Sequence, residues 1–300
     1  MKNHQLRALV SIAQYGSMRA AAKALSLSQT ALTKSIREFE LELHATLLHR
    51  SPQGVQLTDV GNELLHHAKL ILAEMDEARA AVRAMLGRST PRVTAAVTPA
   101  FSVLCLPQTL ERFRSRFPDA TLSIRDAFLS QTLPMLRDGT VDLAITALLP
   151  DTLGPDLSFE PWGMMSIAIV GRRGRFSKAL RTIDSLTDAA WIMDSSSGGI
   201  SEAVRRWLTQ HNVSMPSTVI ECPSSFASMV LITQGDVIAP VPRAMLSTPW
   251  LASSEEIGLV EASPTVPFGI VIRAGSRLDA PANWFLECAR ITIKSSSLDS

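Results

Sequence analysis

Cysteine is scarce in this 300-residue sequence. Cys105, Cys222 and Cys288 are odd in number and far apart, so no disulfide framework is implied. No apolar run approaches the roughly 18 residues that a membrane-spanning helix needs, and the opening MKNHQLRALV has no signal-type apolar core. Catalytic constellations are missing too: there is no Gly-x-Ser-x-Gly elbow and no glycine-rich phosphate loop of Walker or dinucleotide type. His66 and His67 lie side by side without a third ligand at metal spacing. The expectation is therefore a cytoplasmic, non-enzymic protein with no cofactor, no metal and no membrane partner. What is present is apolar material, 46% of residues against 19% charged, with a mean hydropathy of +0.16. That excludes a disordered chain, and the length predicts two or three domains.

Net charge is only +1, but it is unevenly spread. Residues 1–58 hold seven basic and three acidic side chains, a net of +4, which leaves −3 for the remaining 242 residues. A basic head on a slightly acidic body suits a polyanionic partner. The head reads as short helices. Leu6, Leu9, Val10 and Ala13 keep helical spacing, Gly16-Ser17 breaks the pattern, and Ser17 can cap a short alanine-rich helix to about Leu25. Ser26-Leu27-Ser28 is a turn of helix-turn-helix length, with Ser28 placed to cap a helix to about Leu43. In that helix Leu32, Ile36, Phe39 and Leu43 share one face. Gln29, Thr30, Thr33, Lys34 and Arg37 lie off it, with groups that suit base edges and phosphates in a major groove. A merely solvated face is the alternative; the turn, the local charge and the polar N-terminal half favour DNA. Ser17, Arg19 and Ser28 complete the candidate set, together with Arg50 and Gln53 of a turn that reads as a two-stranded wing.

From Thr58 a long helix carries Leu64, Ala68, Ile71, Met75, Ala78, Val82 and Met85 at steps of four and three. So narrow an apolar seam predicts pairing with a second copy, packing on its own domain being the alternative. Gly87 to Pro91 reads as a hinge. Beyond it strands and helices alternate, which predicts open, mostly parallel sheets in two lobes with a ligand cleft between them. Ligands in such folds sit beyond strand C-termini. The ends here are Thr98-Pro99-Ala100-Phe101-Ser102, Phe128-Leu129-Ser130, Thr146, Ser196-Ser197-Gly198-Gly199 and Ser224-Ser225-Phe226. They are short of carboxylates and rich in hydroxyls, and Ser102 and Gly198-Gly199 fall near helix starts. A small organic anion is the expected effector; simple helix capping by these serines is the alternative.

From Leu6 to Leu65 the sequence resembles the LysR-type transcriptional regulators. The likeness is carried by Gly16-Ser17, Ala21-Ala22, Leu25, Ser28-Gln29, Ala31, Ile36, Glu40, Arg50, Leu57-Thr58 and Gly61. It continues in LRDGTVDLAIT (136–146) and GDVIAPVP (235–242). Thr30 stands where proline is usual, Thr33 for serine, Phe39 for leucine, His44 for glycine and Leu48 for phenylalanine. Asp236 lies where a second glycine is common. The resemblance implies a winged helix-turn-helix over 1–58, a linker and dimerisation helix over 59–90, and a two-lobed α/β domain like periplasmic binding proteins over 91–300. Lobe I would span about 91–161 and 268–300, lobe II about 162–267. It implies operator DNA, a small inducer, RNA polymerase and further copies of the chain, as homodimer and homotetramer, for partners. VTPAF (97–101) resembles a branch that responds to aromatic acids or sulfonates. The competing readings are a redox-sensing regulator using its cysteines and a solute-binding protein without a transcriptional role.

Overall fold

The structure is a computed structural model that describes residues 1–51, 54–85, 90–176 and 180–296; the side chains of 50, 51, 76, 77, 80, 81 and 83–85 lie outside the description. Two compact units are present, Met1–Ser89 with Arg137–Thr140, and Thr90–Leu136 with Val141–Ser300.

The N-terminal unit contains α1 (Asn3–Tyr15), α2 (Met18–Ala24) and α3 (Gln29–Leu43), the hairpin β1 (Leu48–Ser51) and β2 (Gly54–Leu57), and α4 (Asp59–Met85). Local chemistry explains its joints. Gly16 ends α1 in the left-handed region at φ +62, where glycine is not penalised. Ser17 Oγ then accepts from Ala20 N–H, and Ser28 Oγ accepts from Ala31 N–H at 3.1 Å, so each new helix begins on a hydroxyl cap. Ala21 and Ala22 are buried between helices, where only small side chains allow close approach. Leu9, Ile12, Leu32, Ile36 and Phe39 fill the core. Glu40 Oε1 accepts from Leu47 N–H at 2.9 Å and tethers β1 to α3. Thr58 Oγ1 accepts from Gly61 N–H at 2.9 Å and donates to the Thr46 carbonyl, which starts α4; a Cβ at Gly61 would collide with the Leu47 carbonyl.

The C-terminal unit contains, in order, β3 (Arg92–Val97), α5 (Pro99–Leu104), α6 (Leu106–Arg116), β4 (Thr121–Asp126), α7 (Leu129–Arg137), β5 (Leu143–Ala147), β6 (Leu157–Arg172), β7 (Ala190–Ile192), α8 (Ile200–Gln210), β8 (Thr218–Ile220), α9 (Ser225–Gln234), β9 (Val237–Pro242), β10 (Ser254–Glu256), β11 (Thr265–Arg273) and α10 (Ala280–Lys294). The strand order is β4-β3-β5-β11-β6-β9-β7-β8, with β10 on β6. Expectation and structure part here. The pairs β3·β4, β3·β5, β7·β8 and β7·β9 are parallel, but β11·β5, β11·β6, β6·β9 and β10·β6 are antiparallel, so the sheet is mixed rather than mostly parallel. The cause is β6. Nine of its first ten residues pair with β11, Trp162 being left out where the register shifts, and its last six pair with β9 and β10, so one 16-residue strand runs through both halves of the sheet. Two helices, α5 and α6, meet at Cys105, with Pro107 in the first turn of α6, where its missing N–H costs nothing. Among the described residues no helix is long and apolar enough to cross a membrane.

Candidate functional site

Helix α3 separates its two faces cleanly. Leu32, Ile36 and Phe39 have no exposed surface, while Gln29, Thr30, Lys34 and Arg37 are exposed and Thr33 is half-buried. Ser28 Oγ also lies 3.2 Å from Thr30 Oγ1, which fixes the first hydroxyls of the helix. Lys34 keeps 79% of its side chain exposed and stands 3.9 Å from Glu38, a separation at which the ammonium remains free to swing to another anion. Arg19 is exposed on α2. Ser17 and Ser28 act first as caps. The Arg50 side chain and Gln53 lie outside the described residues. Amides, hydroxyls and cations at the N-terminal end of a capped second helix are the groups that read base edges and hold phosphates.

The seam on α4 divides in two. Leu64, Ala68 and Ile71 pack on the core of their own unit, whereas Ala78 and Val82 are exposed, Val82 at 57%. Met75 is half-buried, its Sδ 3.2 Å from Asn3 Nδ2. The Met85 side chain lies outside the described residues, as do residues 87–89 of the expected hinge.

In the C-terminal unit a cavity of about 130 Å³ opens between the two halves of the sheet. Thr98, Pro99 and Ala100 from the start of α5, Phe128 and Leu129 from the start of α7, and Thr146 at the end of β5 line one side. Gly199, Ile200 and Ser201 at the start of α8 and Ser225 at the start of α9 line the other. Met165, Ile192, Met193, Met229, Ile232, Met245 and Leu251 form its apolar walls. Eight of the sixteen residues expected from the sequence meet here: Thr98, Pro99, Ala100, Phe128, Leu129, Thr146, Gly199 and Ser225. The others do not line it. Phe101 is fully buried in the core, Phe226 is 65% exposed, and Ser224 Oγ accepts from Ala227 N–H as the cap of α9. Ser102 Oγ donates to Asp126 and Ser130 Oγ to Asp194, each at 3.4 Å. Ser196 N–H donates to Asp194 Oδ1, Ser197 is exposed, and the Gly198 carbonyl accepts from Leu149 N–H at 2.6 Å. Gly198 sits at φ +98 against Thr152, where a Cβ would collide.

Sequence reasoning missed the two carboxylates at this cleft. Asp126 accepts from Ser225 Oγ across it, and Asp194, a cavity residue, reaches Ser130 on the facing side. Asp126 is the last residue of β4 and Asp194 lies two beyond β7, so the strand-end rule, begun two residues earlier, finds both. The methionines could not be told from core. Arg205 braces the Asp194 loop, donating to the carbonyls of Asp194 at 2.9 Å and Ser196 at 2.7 Å. Burial pushes the Glu202 carboxyl up, but hydrogen bonds from Arg205 and Arg206 outweigh it and hold its pKa below the ordinary value. Burial raises the thiols of Cys105 and Cys288, which disfavours the reactive thiolate. Cys222 lines the cavity. Among the described residues no group of three or more His, Cys, Asp or Glu could hold a metal.

Residues 3–62 match the family described as "Bacterial regulatory helix-turn-helix protein, lysR family", and residues 86–293 match the "LysR substrate binding domain". The chain belongs to the LysR family of transcriptional regulators. It is 25% identical over 289 residues to the HTH-type transcriptional regulator TdcA of Escherichia coli K12, covering 96% of this chain and 92% of that protein. It is 25% identical over 293 residues to the HTH-type transcriptional regulator PcaQ of Agrobacterium fabrum, covering 97% and 94%. The fold is also that of CbnR, a LysR family transcriptional regulator, at TM-score 0.69 and 21% identity over 97% of this chain and 99% of that one. Full-length CbnR complexed with its target DNA aligns at TM-score 0.66 and 21% identity. As a LysR-type protein the chain is a ligand-responsive, DNA-binding transcriptional regulator and not an enzyme, with the helix-turn-helix at its N-terminus and the effector-binding α/β domain after it.

Proposed function

We propose that this regulator reads an operator through Gln29, Thr30, Thr33, Lys34 and Arg37, together with Arg19, Arg50 and Gln53, and is switched by a small organic acid in the cavity. The observation that carries the second part is the convergence of the starts of α8 and α9 on one apolar pocket. Helix N-termini present unpaired N–H groups and a positive dipole end, which suit one acid group. The methionine and aliphatic walls suit an apolar body, as in aromatic carboxylates or sulfonates. Ligand held between the two halves biases their geometry, and that bias changes how the heads engage DNA. The exposed Ala78 and Val82 of α4 support pairing of two copies through that helix, and a dimer of dimers would engage two half-sites. RNA polymerase is the further partner, and the protein acts in the cytoplasm.

The test is a thermal-shift screen of the full-length chain against aromatic carboxylates and sulfonates. A concentration-dependent rise with one class is expected. Thr98→Val should weaken that rise while operator affinity holds; loss of both would mark a folding defect instead. No shift with any acid defeats the anion reading and leaves the DNA-reading face standing.

A further inference from the structure

Building on that reading, we infer that the cavity selects acids with a single negative charge on a compact apolar body, and that Asp194 sets this charge rule. Size comes first. An apolar cavity of about 150 Å³ accommodates benzene, so about 130 Å³ takes a body of roughly six non-hydrogen atoms. Four of the walls are methionines, which fill space around varied apolar shapes but offer nothing to a second charge.

Charge comes second. Among the described residues no lysine or arginine lines the cavity, and the one carboxylic acid that does is Asp194. Its two oxygens face Ser196 N–H and the Ser130 hydroxyl, both neutral. Arg205, beside the Asp194 loop, points its guanidinium at two backbone carbonyls and pairs with Glu202 at 2.9 Å. A second carboxylate, Asp126, spans the cleft to Ser225 and also accepts from Ser102, with no cation paired to it among the described residues. One acid group can lie against the backbone N–H groups that open α8. A second would have to sit among apolar walls or beside Asp194 or Asp126, with no cation to offset the repulsion. The same geometry tolerates an ammonium on the ligand, since that group would face a carboxylate.

The experiment compares matched probes by thermal shift and calorimetry on the full-length chain: benzoate against phthalate, and hexanoate against adipate. The monoacids should bind at least tenfold more tightly than their diacid partners. Asp194→Asn keeps the size and hydrogen-bonding reach of the side chain, and it should narrow that ratio at least threefold, chiefly by improving the diacids. Diacids that bind the wild type as well as the monoacids overturn the charge rule and leave the anion reading intact. An unchanged ratio in a folded Asp194→Asn protein, judged by its unliganded Tm, overturns the assignment to Asp194. If none of the four acids binds, the charge rule and the anion reading fall together.

Discussion

Helix α3 holds Gln29, Lys34 and Arg37 outside a packed interior, whereas the cavity of the C-terminal unit is walled by the interior itself. Met165, Met193 and Met245 are each less than 5% exposed and belong to the same apolar cluster as the core of that unit. The contrast separates two kinds of specificity. On α3, recognition chemistry can change without touching the residues that hold the fold. In the cavity, every change in what is recognised is also a change in packing, so specificity and stability move together.

The sharpest way to break this contrast is to attack each core. Phe39→Ala should cost about 3–5 kcal/mol in the N-terminal unit, read by chemical denaturation, while acid-induced thermal stabilisation of the C-terminal unit survives; loss of both would show that the units do not hold their sites independently. Met193→Ala should cost about 2–4 kcal/mol and also enlarge the pocket, shifting the preferred acid to a longer one. A stability loss with no shift in preference would deny that core and site are the same residues. Gln29→Ala should cost about 1–3 kcal/mol of discrimination at one base position, measured by competition between operator variants, with stability within about 0.5 kcal/mol of wild type. A uniform loss on every sequence would make Gln29 a backbone contact. The smallest effect is expected at the loop beside the cavity. Glu202→Gln should cost about 0.5 kcal/mol at neutral pH. Because Glu202 titrates below its unfolded value, its contribution is present above the ordinary glutamate range and is lost as pH falls through the lowered pKa. The difference between Glu202→Gln and wild type should therefore vanish in acid, and a difference that grows there would reverse the assignment.

The same contrast explains what could be read in advance. Caps such as Ser17 and Ser28 are local hydrogen-bond chemistry, and the spacing of Leu32, Ile36 and Phe39 is local geometry, so both are visible in the residues alone. The α4 seam is visible as a stripe, but spacing does not say which stretch faces its own core: Leu64, Ala68 and Ile71 do, while Val82 does not. Pro161 and Gly163 are residues that ordinarily interrupt a strand, yet both lie inside β6. In the sheet they lie opposite Gly269 and Phe268, where the register shifts and a Cβ on Gly269 would strike the Glu160 carbonyl. That irregularity is a bulge, a property of the pair of strands rather than of either one. Thr98 and Ser225 were found because they end strands or begin helices. Asp126 and Asp194 were missed because the cleft takes one residue from inside a strand and one from the loop beyond, a choice made by the packing of the two halves.

Strand β6 carries a mechanical consequence. A crossover made of loose chain would let the two halves of the domain swing apart at little energetic cost. Here the crossover is itself ladder, bonded to β11 along Leu157–Ser166 and to β9 along Ile167–Gly171. Strand β6 passes from one ladder to the other at Ser166–Ile167 with no loop between them, so the joint resists separation, whereas rotating one half against the other only changes the twist that β-strands already possess. An effector held in the cleft, as proposed, would therefore act on something closer to a torsion bar than to a jaw, and its signal would leave the site as torque.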